Sequence, residues 1–192
     1  MVSFMRNSVQ IIAEETEMGT IRAPLPVKPI IGVLTAEPLL LSSVYQRLTR
    51  RLGPVDWQSA LLPFTSTTYY AAEMGENLQR QFISFERLMD AGALAAMKGF
   101  TNQVEETFAR EGTHCRRVNL DAGYVDSAKL VLASTKDHAH RIYLGEGIYA
   151  EITLRFHRKT FQPWAWTYPD YRSQTYIELF NHIRAIYREQ LV

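Results

Sequence analysis

The stretch KPIIGVLTAEPLLLSSVYQRLTRRLGP, residues 28–54, decides the fold. Lys28–Thr35 is a short apolar run with β-branched side chains, the pattern of a buried strand. Pro38 suits the first turn of a helix, where its missing N–H has no intrahelical partner to lose. Leu41, Val44, Tyr45, Leu48 and Leu52 then recur at helical spacing. Gly53-Pro54 ends the helix, because glycine takes the left-handed cap and proline cannot continue the ladder.

Working outward, Val55–Phe64 reads as a second strand, and Thr65–Asn77 as a polar, irregular segment. Gln79–Leu88 alternates and predicts a third strand, with Phe82, Ser84, Glu86 and Leu88 on one face. Glu86 then shares an apolar face, either as a half-buried carboxylate with a raised pKa or as an ion pair with a nearby arginine. Asp90 is placed to cap the next helix, whose stripe is Leu94, Met97, Phe100, Val104 and Phe108, closed by Gly112. Arg116–Leu120 is a fourth strand. The order β-α-β-β-α-β predicts an α+β fold with a ferredoxin-like core, a mainly antiparallel sheet and helices packed on one face.

Beyond that core the sequence predicts a short helix over Asp126–Ala133 and a hairpin. The hairpin comprises His140–Leu144, a Gly145-Glu146-Gly147 loop and Ile148–His157. Residues paired across strands share a face. Ile142 and Leu144 must then meet Ile148 and Ala150, which sets Arg141 opposite Glu151 and Tyr143 opposite Tyr149. Gly147 supplies the positive φ such loops need. Ser173 caps a final helix with Tyr176, Ile177, Phe180, Ile183, Tyr187 and Leu191 as its apolar face. Residues 28–192 are expected to form one domain, preceded by an extension over residues 1–27 that is ordered only in part.

At 192 residues, 46% hydrophobic and 21% charged, the composition is that of a globular domain. A formal net charge of +1 supplies no global field toward nucleic acid or anionic membrane. Nucleic acid is therefore not expected as a partner. No run approaches the ~20 apolar residues of a membrane span, and no leader pattern is evident, so the expected location is cytoplasmic. The one cysteine, Cys115, cannot form an intrachain disulfide. Its neighbours Arg116 and Arg117 favour a thiolate, but no base arrangement is evident beyond the adjacent His114, and a small strand residue is the plainer reading.

The chain lacks a phosphate loop, a dinucleotide fingerprint, a Cys-x-x-Cys pair and a Gly-x-Ser-x-Gly elbow. His138-x-His140 is the only metal-like spacing, weak because a core-edge histidine bonded to Asp137 explains His140 as well. Arg116, Arg117, Lys129, Lys136, His140 and Arg141 cluster in sequence with Asp121, Asp137 and Glu151. Cations at strand ends suit phosphate or carboxylate recognition. Ion pairing across a polar sheet face is the plainer reading. Trp164, Trp166, Tyr168 and Tyr171 lie among Pro163, Pro169, Asp170 and Arg172, as a stacking surface or as a rigid cover over the core.

These stretches carry a resemblance. KPIIGVLTAEP (28–38), YYAAEMG (69–75), FISFERL (82–88) and FTNQVE (100–105) are joined by RRVNLDAGY (116–124), KLVLASTKDHAHRIYLGEGIYAEITL (129–154) and WTYPDYR (166–172). Together they make the chain similar to a bacterial family catalogued as domain of unknown function 4416, over about residues 28–192. Some members of that family carry the label "GTP-binding protein". The residues do not support that label. No phosphate loop exists, and in Thr135-Lys136-Asp137 the aspartate falls one position too early for the guanine motif. His140 falls inside the family pattern and His138 outside it.

The leading functional expectation is binding of, and potential action on, a small anionic ligand such as a phosphorylated metabolite or nucleotide. Arg116, Arg117, Lys129, Lys136 and Arg141 would hold the anion, with Tyr143, Tyr149, Trp166 and Arg172 around it. Glu151 or Asp121 would serve as base, and Asp137 would orient His140. No cofactor is indicated. The alternative is a non-enzymatic interaction module or complex subunit, a homodimer included, using the 164–171 segment and the C-terminal helix.

Overall fold

The computed structural model describes residues 20–65, 71–110 and 115–192. Strand β1 (Lys28–Thr35) is buried at every position, which explains a continuous apolar run rather than an alternating one. It lies between β4 (Gln79–Phe85) and β5 (Val118–Val125), antiparallel to both. The sheet continues outward to β2 (Val55–Gln58) on one side. On the other side it continues through β6 (Lys129–Ser134) and β8 (Ile148–His157) to β7 (Ile142–Gly145). Two short strands join off this path: β3 (Leu62–Pro63) beside β4, and β9 (Thr160–Pro163) beside β8. The nine strands among the described residues are all paired antiparallel, and the fold class is α+β.

The helices are α1 (Leu41–Leu52), the single turn α2 (Ala71–Met74), α3 (Leu94–Thr107) and α4 (Gln174–Gln190). The helix layer expected on one face is α1 and α3. Their Leu41, Val44, Leu48, Met97 and Val104 share a core with Ile31, Val33, Ile83 and Leu120. Strand residues of the alternate parity, Ile30, Phe82 and Val125, pack with Tyr176, Ile177, Phe180 and Ile183 of α4. Local signals act as read: Asp90 accepts from the Gly92 amide, Ser173 from the Tyr176 amide, and Gly53 stands at φ 93°. Among the described residues no helix is long and apolar enough to cross a membrane.

Four expectations need correction. Residues 129–134 form β6 and not a helix. The Asp126 carboxylate accepts from the Ala128 and Lys129 amides at 2.7 and 2.8 Å, closing a tight turn that returns the chain as a strand. The second strand is broken at Ser59, whose backbone N–H and hydroxyl both engage Phe82. The third strand stops at Phe85, which leaves Glu86 exposed. In the hairpin, Ile142 meets Ala150 and Tyr143 meets Tyr149 as expected, but Leu144 is a bulge and Gly145 pairs with Ile148. The turn is therefore Glu146-Gly147, both at positive φ, 54° and 73°. Gly112, Tyr69, Tyr70 and residues 1–19 lie outside the described residues.

One departure from regular pairing positions the site. β5 pairs with β6 only at Gly123–Leu132, Tyr124–Val131 and Val125–Leu130. Over residues 118–122, β5 keeps β1 as a neighbour while β6 turns away. Gly123 stands where the strands part. A Cβ there would press on the Val131 carbonyl oxygen and come within 2.6 Å of Leu132 Cδ2.

Candidate functional site

The parting of β5 and β6 opens a cavity of about 1090 Å³, walled by β4 and β5, by α3, by β6 with β8, and by residues 168–171. A strand edge facing a cavity leaves backbone groups to satisfy. At Leu120, α3 satisfies them with side chains. Glu105 Oε1 accepts from the Leu120 N–H at 2.7 Å, and Lys98 Nζ donates to its carbonyl at 2.8 Å. Lys98 and Glu105 are themselves 3.6 Å apart and buried. An ammonium and a carboxylate from a helix thus occupy the place of a neighbouring strand.

A chain of polar contacts runs inward from there. Arg116 grips Glu73 with two bonds, 2.7 and 2.8 Å, and also reaches Asn119 Oδ1 at 2.7 Å and Glu105 at 3.4 Å. Asn119 Nδ2 donates to Asp121 Oδ1 at 2.9 Å. The other oxygen of Asp121 accepts from Arg80. Arg80 is 2% exposed. Its guanidinium lies 5.1 and 5.9 Å from the Phe64 and Phe82 ring centroids, and Nη2 is 4.0 Å from Asp170. Arg80 and Tyr171 both line the cavity, and two of their buried polar atoms, Arg80 Nε and the Tyr171 hydroxyl, have no hydrogen-bond partner among the described residues.

The opposite wall is built on Glu151. Its Oε2 accepts from Arg141 Nε at 2.8 Å and meets His140 Nε2 at 3.1 Å, while Oε1 accepts from the Thr153 hydroxyl at 3.3 Å. Arg141 also donates to Ser134 Oγ at 2.7 Å and to the Lys136 carbonyl at 2.9 Å. Residues 168–171 are held over the cavity by their own loop. Arg172 donates to the carbonyls of Thr167 and Ala165 at 2.6 and 2.7 Å, and the Thr167 hydroxyl donates to the Thr153 carbonyl at 2.6 Å.

Among the described residues five cationic side chains and six carboxyl groups line the cavity, and their environments separate them. Burial pushes the Asp121 carboxyl up, but Arg80 and Lys98 outweigh it and the net shift is downward. Burial also raises Asp170, and there the more distant Arg80 fails to reverse it. Burial raises Glu105 against the pull of Lys98. Glu73 is lowered, chiefly by its bonds to Arg116. Burial drives the Tyr171 hydroxyl well above its ordinary value.

Of the residues singled out from sequence, the cavity gathers Asp121, Glu151, Arg116, Lys136 and Arg141. Arg117 instead pairs with Glu37, and Lys129 pairs with Asp126 at 2.7 Å, at the other end of β6. Tyr143 and Tyr149 face each other across the hairpin, ring centroids 5.2 Å apart. Arg172 serves the loop backbone. Asp137 is exposed, and His140 bonds Glu151. His138, His140, Trp166 and Trp164 form one continuous stack of near-parallel rings, ended by Arg155 over Trp164. Among the described residues no group of three His, Cys, Asp or Glu side chains could hold a metal ion.

Arg80, Lys98, Glu105 and Asp170 are members of the site that the sequence does not mark as functional, and Tyr171 is marked there only as a stacking or covering aromatic. A signal existed for three of them. Arg80 has the parity of Phe82 and Ser84 in β4, a charge on a buried face. Lys98 and Glu105 fall seven apart on the inner side of α3, next to Met97 and Val104. Asp170 and Tyr171 carried none beyond membership of an aromatic, proline-rich segment.

The model of the family described as "Domain of unknown function (DUF4416)" matches residues 25–187, and the chain belongs to that family. No curated protein and no solved structure matches the chain.

Proposed function

We propose that the cavity binds a small metabolite through an anionic group, a phosphate or a carboxylate. The observation that carries this reading is the pair of buried polar atoms, Arg80 Nε and the Tyr171 hydroxyl, that have no partner among the described residues. A buried donor without an acceptor costs about 1–3 kcal/mol, and native chains keep few of them. Both atoms donate, and Arg80 is charged at every working pH. The group that completes them is therefore an acceptor, and an anion fits best. Arg116, Lys136 and Arg141 lie along the same walls, Arg116 bonded to Glu73 and Arg141 to Glu151. Asp121 and Glu151 are the candidate bases for any reaction on the bound molecule. We read the frame that carries the site, spatial order β2-β4-β1-β5 with α1 and α3 as connections, as ferredoxin-like.

A thermal-shift screen against nucleotides, sugar phosphates, inorganic phosphate and small carboxylates tests this reading. A ligand at about 100 times its Kd adds ~2.7 kcal/mol of stability, a plain rise in Tm. The rise should vanish in Tyr171→Phe and Arg80→Lys. An unmoved Tm across the whole panel overturns the proposal.

A second reading is favoured by a separate observation. The outermost strand β7 leaves Ile142, Tyr143 and Leu144 72%, 59% and 44% exposed, on an edge that no further strand covers among the described residues. Such an edge suits pairing with a second copy or with another chain. The C-terminal helix does not, since its apolar face is buried in the core. Light scattering that shows a monomer at all concentrations would remove the homodimer form of this reading.

A further inference from the structure

We infer that Asp170 takes up a proton when the anion binds and shares it with a ligand oxygen, an inference that rests on the cavity reading above. The geometry concerns how many negative groups one guanidinium can serve. Arg80 already bonds Asp121, and Asp170 stands 4.0 Å from its Nη2, beyond hydrogen-bond reach. A bound phosphate or carboxylate at Arg80 Nε would be a third anion around the Arg80 guanidinium, with Lys98 the other cation acting on Asp121. Carboxylates that share a site cannot all stay ionised, and one of them takes a proton.

The surroundings select which one. The groups facing Asp170 are Arg80 from β4, Asp121 from β5 and Tyr176 from α4, with Tyr171 beside it in the chain. Asp121 is kept ionised by Arg80 and by Lys98 from α3, and it also accepts from Asn119. Asp170 has the weaker hold on Arg80 and a side chain only 9% exposed. Burial raises its carboxyl. On binding, its carboxylate takes one proton from solvent and the new O–H donates to the ligand oxygen. No bond of the ligand forms or breaks. The ligand class is an oxyanion, met by Arg80 Nε, Tyr171 and the protonated Asp170 as three donors.

Sulfate is the probe, because its own charge does not change in the working range. Its affinity is measured by titration calorimetry between about pH 5 and about pH 8, on the wild type and on Asp170→Asn. Wild-type affinity should fall about tenfold per pH unit on the alkaline side. Asp170→Asn offers a donor that does not titrate, so its profile should be flat. Titrations of the wild type in two buffers of different ionisation enthalpy need no variant and should give about one proton taken up per sulfate at the alkaline end. A flat wild-type profile without proton uptake, or a slope that survives in Asp170→Asn, overturns the role of Asp170 and leaves the cavity reading standing. No saturable sulfate binding at any pH overturns both.

Discussion

Arg80 reaches Asp121 by crossing the intervening strand at Gly32. Arg80 lies on β4 and Asp121 on β5, and in the register of β1 Gly32 is the partner of Asp121 and of Phe82. A Cβ at Gly32 would come within 2.9 Å of Arg80 Nη1 and 3.0 Å of Phe82 Cε1. The absent side chain is the channel through which a buried charge reaches its partner. Gly32→Ala should cost about 1–3 kcal/mol, as overpacking does, and should weaken anion binding through the displaced guanidinium. Urea unfolding checks the first effect and calorimetry the second. If stability is lost but affinity is unchanged, Arg80 is not the anion contact.

Arg80→Met tests the ion pair itself. Removing one partner of a buried pair strands the other, which costs about 3–5 kcal/mol. Asp121 keeps Asn119 and a side chain 26% exposed, so the low end is expected. The double variant Arg80→Met with Asp121→Asn should recover part of the loss. A double variant as unstable as the sum of the singles would show that the two residues do not act together.

The two aspartates near Arg80 should have opposite pH signatures. The Asp121 carboxyl is lowered from its ordinary 3.8 in the fold. Its contribution is present above 3.8 and is lost as pH falls below that value through the folded pKa. The Asp170 carboxyl is raised from 3.8, so stability falls as pH rises from 3.8 through its folded pKa. At neutral pH, Asp121→Asn should lower Tm and Asp170→Asn should raise it. Tm measured for both variants at acid and neutral pH is the check, and shifts of the same sign would contradict the assignment.

Lys98 and Glu105 make a prediction about side chains in place of a strand. Lys98→Met leaves the Leu120 carbonyl without its donor and should cost about 1–3 kcal/mol. Glu105→Gln keeps an oxygen for the Leu120 N–H and should cost less. Equal losses in urea midpoint would mean that the charge of Glu105, and not its acceptor geometry, holds α3 to β5.

The parts of this fold legible in sequence were those set by local chemistry. Gly53, Asp90 and Ser173 each ended or began a helix through one backbone angle or one hydrogen bond. The hairpin pairing of Tyr143 with Tyr149 followed from parity alone. β6 was misread because an Asx turn at Asp126 competes with a helix cap in the same residue type. Glu151 with Arg141 was legible because hairpin partners are close in sequence. Arg80 with Asp121 was not, because 41 residues separate them and a glycine on a third strand decides their meeting. Asp170 and Tyr171 acquire their roles only from what they cover.

The join at Leu120 between helix and sheet differs in kind from the pairing of strand with strand. The strands pair by amide ladders, which carry no titratable group. Here the hold depends on an ammonium and a carboxylate, and so on ionisation state and dissolved electrolyte. The hold of α3 on β5 beside the cavity is therefore set by solution conditions, while the amide ladders around it stay constant.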